Sequence, residues 1–267
     1  MVTLSMTFSN AVILHIPHAS TFVPQDELDL YVVTREVLAA ENLKLADLHT
    51  DMLYDLSGAA RAVFPVSRFV VDAERFSDDA HEPMAAKGMG ALYQVKTDLS
   101  PLRPVIPDDR RKRLMERYYW PHHNGLDAMA LDRLDRFGEC LLVDCHSYPS
   151  KALPYEDPSL PRPQIGVGTD QFHTPPEVRD EIAGAFRDLG YEVGVDTPFS
   201  GALAPNAVYG KDARLKCFMI EVRRDLYMDE ATGARKPEFA KIRADLTLVM
   251  ERAAEKALQS GLKPLAG

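Results

Sequence analysis

The chain has 267 residues, 46% hydrophobic and 27% charged, the composition of an ordinary globular protein and too apolar for a disordered one. Its 40 acidic residues outnumber 31 basic ones, giving a formal net charge of -9, which argues against nucleic-acid binding through bulk charge. No apolar run approaches the roughly 18–20 residues of a membrane span. The N-terminal segment lacks the basic start and small-residue cleavage site of a signal peptide. Three cysteines without CxxC spacing do not make a disulfide scaffold, so the expected location is the cytoplasm.

The first strong strand is Ala11 to Ile16, closed by Pro17. A helix is expected from about Thr34 to Leu56, with Leu38, Leu45, Leu48, Met52, Leu53 and Leu56 at helical spacing and Gly58 as its stop. Ala62–Val66 and Phe69–Asp72 read as short strands. Residues 77–108, rich in proline and glycine, read as a long loop of the kind that is usually functional. Pro107-Asp108-Asp109 opens a charged helix to about Phe137, kinked or broken near Pro121. Cys140 to Cys145 is a continuous apolar strand, buried on both faces. Five prolines make 149–163 a loop. Then come a strand at 165–168, a helix from Pro176 to Leu189, a strand from Tyr191 to Val195, a strand from Lys216 to Val222 and a helix from Glu238 to Leu258. This alternation predicts one domain over 1–267, an α/β fold of three layers, α/β/α, around a mixed, mainly parallel sheet. Such sheets place ligands at the carboxyl ends of their strands.

Unusual residues gather at those ends. His18 follows the first strand in HIPHAS, while His15 lies inside it and reads as core or as a support for the site. In LVDCHSYPS, Asp144 and His146 share one side of the strand and Cys145 points the other way, as a small core residue rather than a nucleophile. A carboxylate and an imidazole in so apolar a strand need a partner, either each other or a metal ion. Asp47 and Asp51, at i and i+4 of the expected helix, together with His49, are candidates for a carboxylate-bearing partner, or else a solvated acidic face. Arg68, Asp72 and Arg75 cluster in SRFVVDAERF, and Glu221, Arg223 and Arg224 in IEVRRDLYMDE. Burial would raise the pKa of Glu221 toward neutrality, which suits a general base. Several arginines suggest a small-molecule substrate bearing a carboxylate. No G-x-S-x-G elbow supports a serine hydrolase.

In this order, HIPHAS, ADLHTDMLYDL, SRFVVDAERF, GMGALYQV, LVDCHSYPS and IEVRRDLYMDE resemble the N-formylglutamate amidohydrolase family, over roughly residues 11–230. That family is related to zinc carboxypeptidases and aspartoacylases, so the resemblance implies a phosphorylase/hydrolase-like α/β/α fold and a Zn²⁺-activated water that cleaves an amide. It implies His18, His146 and Asp47 as zinc ligands, with Asp51 the alternative acid, and Glu221 as the base. It implies that Arg68 polarises the scissile carbonyl and that Arg75, helped by Arg224 or Arg223, holds the substrate carboxylate. Glu74 stands where relatives often carry asparagine, and Arg223 also departs from the pattern. Both departures are expected to touch the substrate side and leave the metal side alone. The rival readings are an arginase-like or carboxypeptidase-like metal hydrolase, and a metal-free binding protein on the same fold.

Overall fold

The computed structural model describes residues 8–258; residues 1–7, the start of the segment read above for a leader, lie outside the described residues. Its strands are β1 (Val12–Ile16), β2 (Ala60–Val63), β3 (Cys140–Tyr148), β4 (Ile165–Gly168), β5 (Val193–Val195) and β6 (Leu215–Arg223). Its α-helices are α1 (Arg35–Leu45), α2 (Thr50–Leu53), α3 (Asp108–Leu114), α4 (Trp120–Phe137), α5 (Pro176–Asp188) and α6 (Phe239–Ala257). The six strands form one sheet in the order β2-β1-β3-β6-β4-β5, parallel except where β4 meets β6.

Side-chain alternation along the buried central strands builds two cores. Val12, Leu14, Ile16, Val143, Phe218 and Ile220 face one side, where they pack against Leu53 of α2, Ile182 of α5 and Leu246 of α6. Ile13, Leu142 and Cys217 face the other side and meet Leu126, Ala130 and Leu134 of α4. The sheet is thus covered on both faces, as a largely parallel sheet requires. Among the described residues, no helix is long and apolar enough to cross a membrane.

Several elements depart from their sequence reading. The helix expected over 34–56 is two helices, because Asp47 N–H donates to His18 O (2.9 Å) and draws the chain out of helical register. His49 then turns through a left-handed conformation (φ 68°) with its imidazole against Gly233 O. Asp47 and Asp51 therefore do not share a helix face, and Met52, expected to be buried, is exposed. The start of the expected strand at 69–72 is a turn over 68–70, closed by Val70 N–H to Ser67 O. The strand expected at 62–66 is shifted back to Ala60–Val63. β3 runs on to Tyr148, so His146 lies inside the strand rather than past its end. At Pro121 the helix does not stop: α3 and α4 are joined by a π turn over Met115–Tyr119, a common answer to a residue that lacks a backbone donor.

Candidate active site

The parallel register sets the site. In it, His15 pairs with Asp144 across β1 and β3, and His146 pairs with Glu221 across β3 and β6. Asp144, His146 and Glu221 emerge on the face opposite Cys145, which packs in the core with Val143 and Ile220. His18, two residues past β1, and Asp47, at the break between α1 and α2, come to the same place and are buried.

His18, Asp47 and His146 each present one ligand atom, and these atoms lie within 4.8 Å of one another. His146 Nδ1 is 3.1 Å from Asp47 Oδ2, and His18 Nδ1 is 3.8 Å from the same oxygen. Each histidine turns its other nitrogen to a carboxylate. His18 Nε2–H donates to Asp72 Oδ1 (2.8 Å), and His146 Nε2–H faces Asp144 Oδ1 (3.1 Å) and Glu74 Oε2 (2.9 Å). Such outer carboxylates fix the ring and its tautomer in metal sites. His18 Nδ1 is buried and has no hydrogen-bond partner, an arrangement that suits an imidazole lone pair directed at a cation. Burial, aided by Arg68, lowers the His18 pKa and keeps that lone pair free. Against the cost of its own burial, Asp47 is held below the usual carboxylate range by His146 and by Arg224, whose Nη2 lies 2.8 Å from Asp47 Oδ1.

Glu221 stands beside this trio. Burial pushes its pKa up to about 8, and its Oε2 has no hydrogen-bond partner. A Cβ at Gly166 on the neighbouring strand would lie 3.2 Å from Glu221 Cβ, so glycine there lets β4 pack closely beside the carboxylate.

The arginines divide in a way their spacing did not show. Arg68 grips Asp72 Oδ2 through Nε (3.0 Å) and Nη2 (2.7 Å). Asp72 also accepts from Tyr93 OH (2.6 Å) and from Glu74 N–H (3.0 Å), so one carboxylate ties His18 to Arg68. Arg75 has a mostly buried side chain whose guanidinium makes no hydrogen bond to any described residue, and its Nε is buried without a partner. Arg224 instead lies under the site, donating to Lys44 O, Leu45 O, Ser147 O, Ser147 Oγ and Asp47 Oδ1. Arg223 is bound to Asp225 and to Arg162 O. Both guanidiniums are already engaged by protein acceptors. Asp51 is exposed on the surface with Asp55, Arg61 and Arg243, away from both histidines. Glu74, expected on the substrate side, reaches His146 and His15 instead.

The sequence places Asp72 only in a cluster with Arg68 and Arg75, and it shows nothing of the support from the π turn and α4. Tyr119, the last residue of the π turn, donates its OH to Arg75 O (2.9 Å), and from α4 His123 Nε2–H donates to Ala73 O (2.8 Å) and His122 Nε2 meets His15 Nε2 (2.9 Å). The adjacent histidines 122 and 123, at the start of a helix, were the available signal.

The family model described as N-formylglutamate amidohydrolase matches residues 10–228. An N-formylglutamate deformylase of Pseudomonas putida is 30% identical over 221 residues, 78% of this chain and 80% of that protein. A crystal structure of an N-formylglutamate amidohydrolase from Ralstonia eutropha JMP134 superposes with a TM-score of 0.78 at 26% identity, covering 93% of this chain and 94% of that one. A gene product of Agrobacterium tumefaciens shares the fold at a TM-score of 0.67 and 20% identity, over 96% of this chain and 93% of its own. With the family model spanning most of its length and the fold matched over 93% of it, this chain belongs to the N-formylglutamate amidohydrolase family.

Proposed function

We propose that the protein is a zinc-dependent amidohydrolase that cleaves the N-formyl amide of a small carboxylate-bearing substrate, N-formylglutamate being the first choice. The observation that carries this reading is the convergence of three ligand atoms, from His18, Asp47 and His146, beside a buried unpaired Glu221 in a chain of this family. Two histidines and one carboxylate form a known catalytic zinc set that leaves a position for water. Zinc, when bound, supplies a Lewis acid and lowers the pKa of a water toward about 7.

The side chains supply the rest. Glu221 takes the proton of the attacking water and returns it to the leaving amine nitrogen, so formate and a free amino group are the products. A carboxylate of raised pKa is matched to that exchange near neutral pH. Arg68, held in the fork of Asp72, is placed to polarise the scissile carbonyl and to stabilise charge developing on its oxygen. Arg75, with no carboxylate of its own, clamps the substrate carboxylate. Arg224 positions Asp47 and touches no substrate. The three buried thiols, Cys140, Cys145 and Cys217, stand apart from the chemistry and suit a reducing, cytoplasmic setting.

The test is formate release from N-formyl-L-glutamate by the zinc-loaded protein, run beside N-formyl-L-glutamine and N-formyl-L-leucine, with acetate release from N-acetyl-L-glutamate read in parallel. Faster turnover of the formyl acid supports the reading. Zinc-loaded protein that releases formate from none of them overturns it.

A further inference from the structure

Directly behind His146 lies a second cluster of ligand atoms. His15, Glu74 and Asp144 present one each, again within 4.8 Å of one another. His15 Nδ1 is 2.8 Å from Asp144 Oδ1 and 3.5 Å from Glu74 Oε1. His146 Nε2 is 2.9 Å from Glu74 Oε2 and 3.1 Å from Asp144 Oδ1. The remaining contacts are Leu203 N–H donating to Asp144 Oδ2 (3.0 Å) and His122 Nε2 against His15 Nε2 (2.9 Å).

The two carboxylates of this cluster lack a permanently cationic partner. Asp47 is paired with Arg224 and Asp72 with Arg68, but Glu74 and Asp144 meet no arginine or lysine among the described residues. Their only ionisable partners among the described residues are two imidazoles, each of which turns a single nitrogen, and so at most one proton, toward two carboxylates. Glu74 Oε1 is buried and accepts no hydrogen bond. Two neighbouring carboxylates withdrawn from water with so few donors are costly unless a cation lies between them. His15 can present a lone pair there, because its Nε2–H has an acceptor in His122 Nε2, 2.9 Å away.

We propose that His15 Nδ1, Glu74 and Asp144 form a second divalent-cation site, on the other side of the His146 imidazole from the His18–Asp47–His146 site. One nitrogen and two carboxylate donors suit a borderline ion such as Zn²⁺, Mn²⁺ or Ni²⁺ rather than a soft one. The second site does not depend on the first being occupied or catalytic.

The probe is Zn²⁺ alone. Chelator-stripped full-length protein is equilibrated with zinc by dialysis, and metal per chain is counted by atomic spectroscopy. The wild type should hold two equivalents. Glu74→Gln, which keeps shape and removes charge, should weaken one of them at least tenfold, as should His15→Gln. His18→Ala should lose the other equivalent and keep this one. Where Glu74→Gln fails to fold, by circular dichroism, His15→Gln carries the test. A wild type with one equivalent that survives the folded Glu74 or His15 variant and disappears in His18→Ala overturns the second site and leaves the proposed function standing. One equivalent lost in those variants but kept in His18→Ala does the reverse.

Discussion

At the scale of single residues, the site is defined by which polar atoms lack a partner. Glu221 Oε2, His18 Nδ1 and Arg75 Nε are all buried and unpaired, and each belongs to a group to which the proposed chemistry assigns a ligand or a proton. Glu221→Gln preserves volume and removes the basic oxygen. It should retain the metal and lose kcat by about 10²–10⁴-fold, the usual worth of general acid–base catalysis. Metal analysis and steady-state kinetics on the same preparation check both halves, and near-full turnover would reduce Glu221 to a structural group. Arg75→Ala should cut kcat/KM for N-formylglutamate at least tenfold, since a charged hydrogen bond contributes about 1.5–3 kcal/mol. Against a substrate whose clamped carboxylate is amidated, the same variant should lose little. Equal losses on acid and amide would move Arg75 to the scissile group or to the fold.

At the scale of elements, legibility followed periodicity. β1, β3, β6, α5 and α6 were readable because their residues are either continuously apolar or amphipathic over several turns. The sheet they form brings His146 and Glu221 into register, so this half of the site was legible as soon as the strands were. The break at 46–49 was not readable. Its apolar residues keep helical spacing through the interruption, and the cause is tertiary: Asp47 N–H is captured by His18 O, a residue almost thirty positions earlier. The position of Glu74 was hidden for a similar reason, because a turn over 68–70 replaces the start of the expected strand and redirects everything after it. The break makes its own prediction. His49 holds a left-handed backbone and donates to Gly233 O, so a β-branched substitute is strained there and loses that bond. His49→Val should cost about 1–3 kcal/mol and weaken metal binding by displacing Asp47. Asp51→Ala, on the exposed side of the same break, should change neither. Thermal melts and zinc titrations of the two variants separate these outcomes.

At the scale of the whole molecule, the site ties together parts of the chain that are far apart in sequence. His18 follows β1, Asp47 sits between helices, His146 lies in β3 and Glu221 in β6. An ion held by the first three binds only the folded form. Free zinc at a hundred times its Kd should therefore add about 2.7 kcal/mol. For a protein of this size that raises Tm by roughly 5–10 °C. Stripping the metal with a chelator should lower Tm by the same amount and restoring zinc should recover it. His18→Ala should melt at the lower temperature with a much smaller response to either treatment.

The carboxylate of Asp72 has a consequence for how this enzyme can diverge. Because one side chain holds both His18 and Arg68, a change that relocates the arginine proposed to face the carbonyl also disturbs a proposed ligand of the ion. Those two functions are inherited together, and substitutions at them should be strongly epistatic. Arg75, whose guanidinium makes no hydrogen bond to any described residue, is under a weaker constraint. New substrate preferences within this scaffold should therefore arise around Arg75 first, while the Asp72 fork stays fixed.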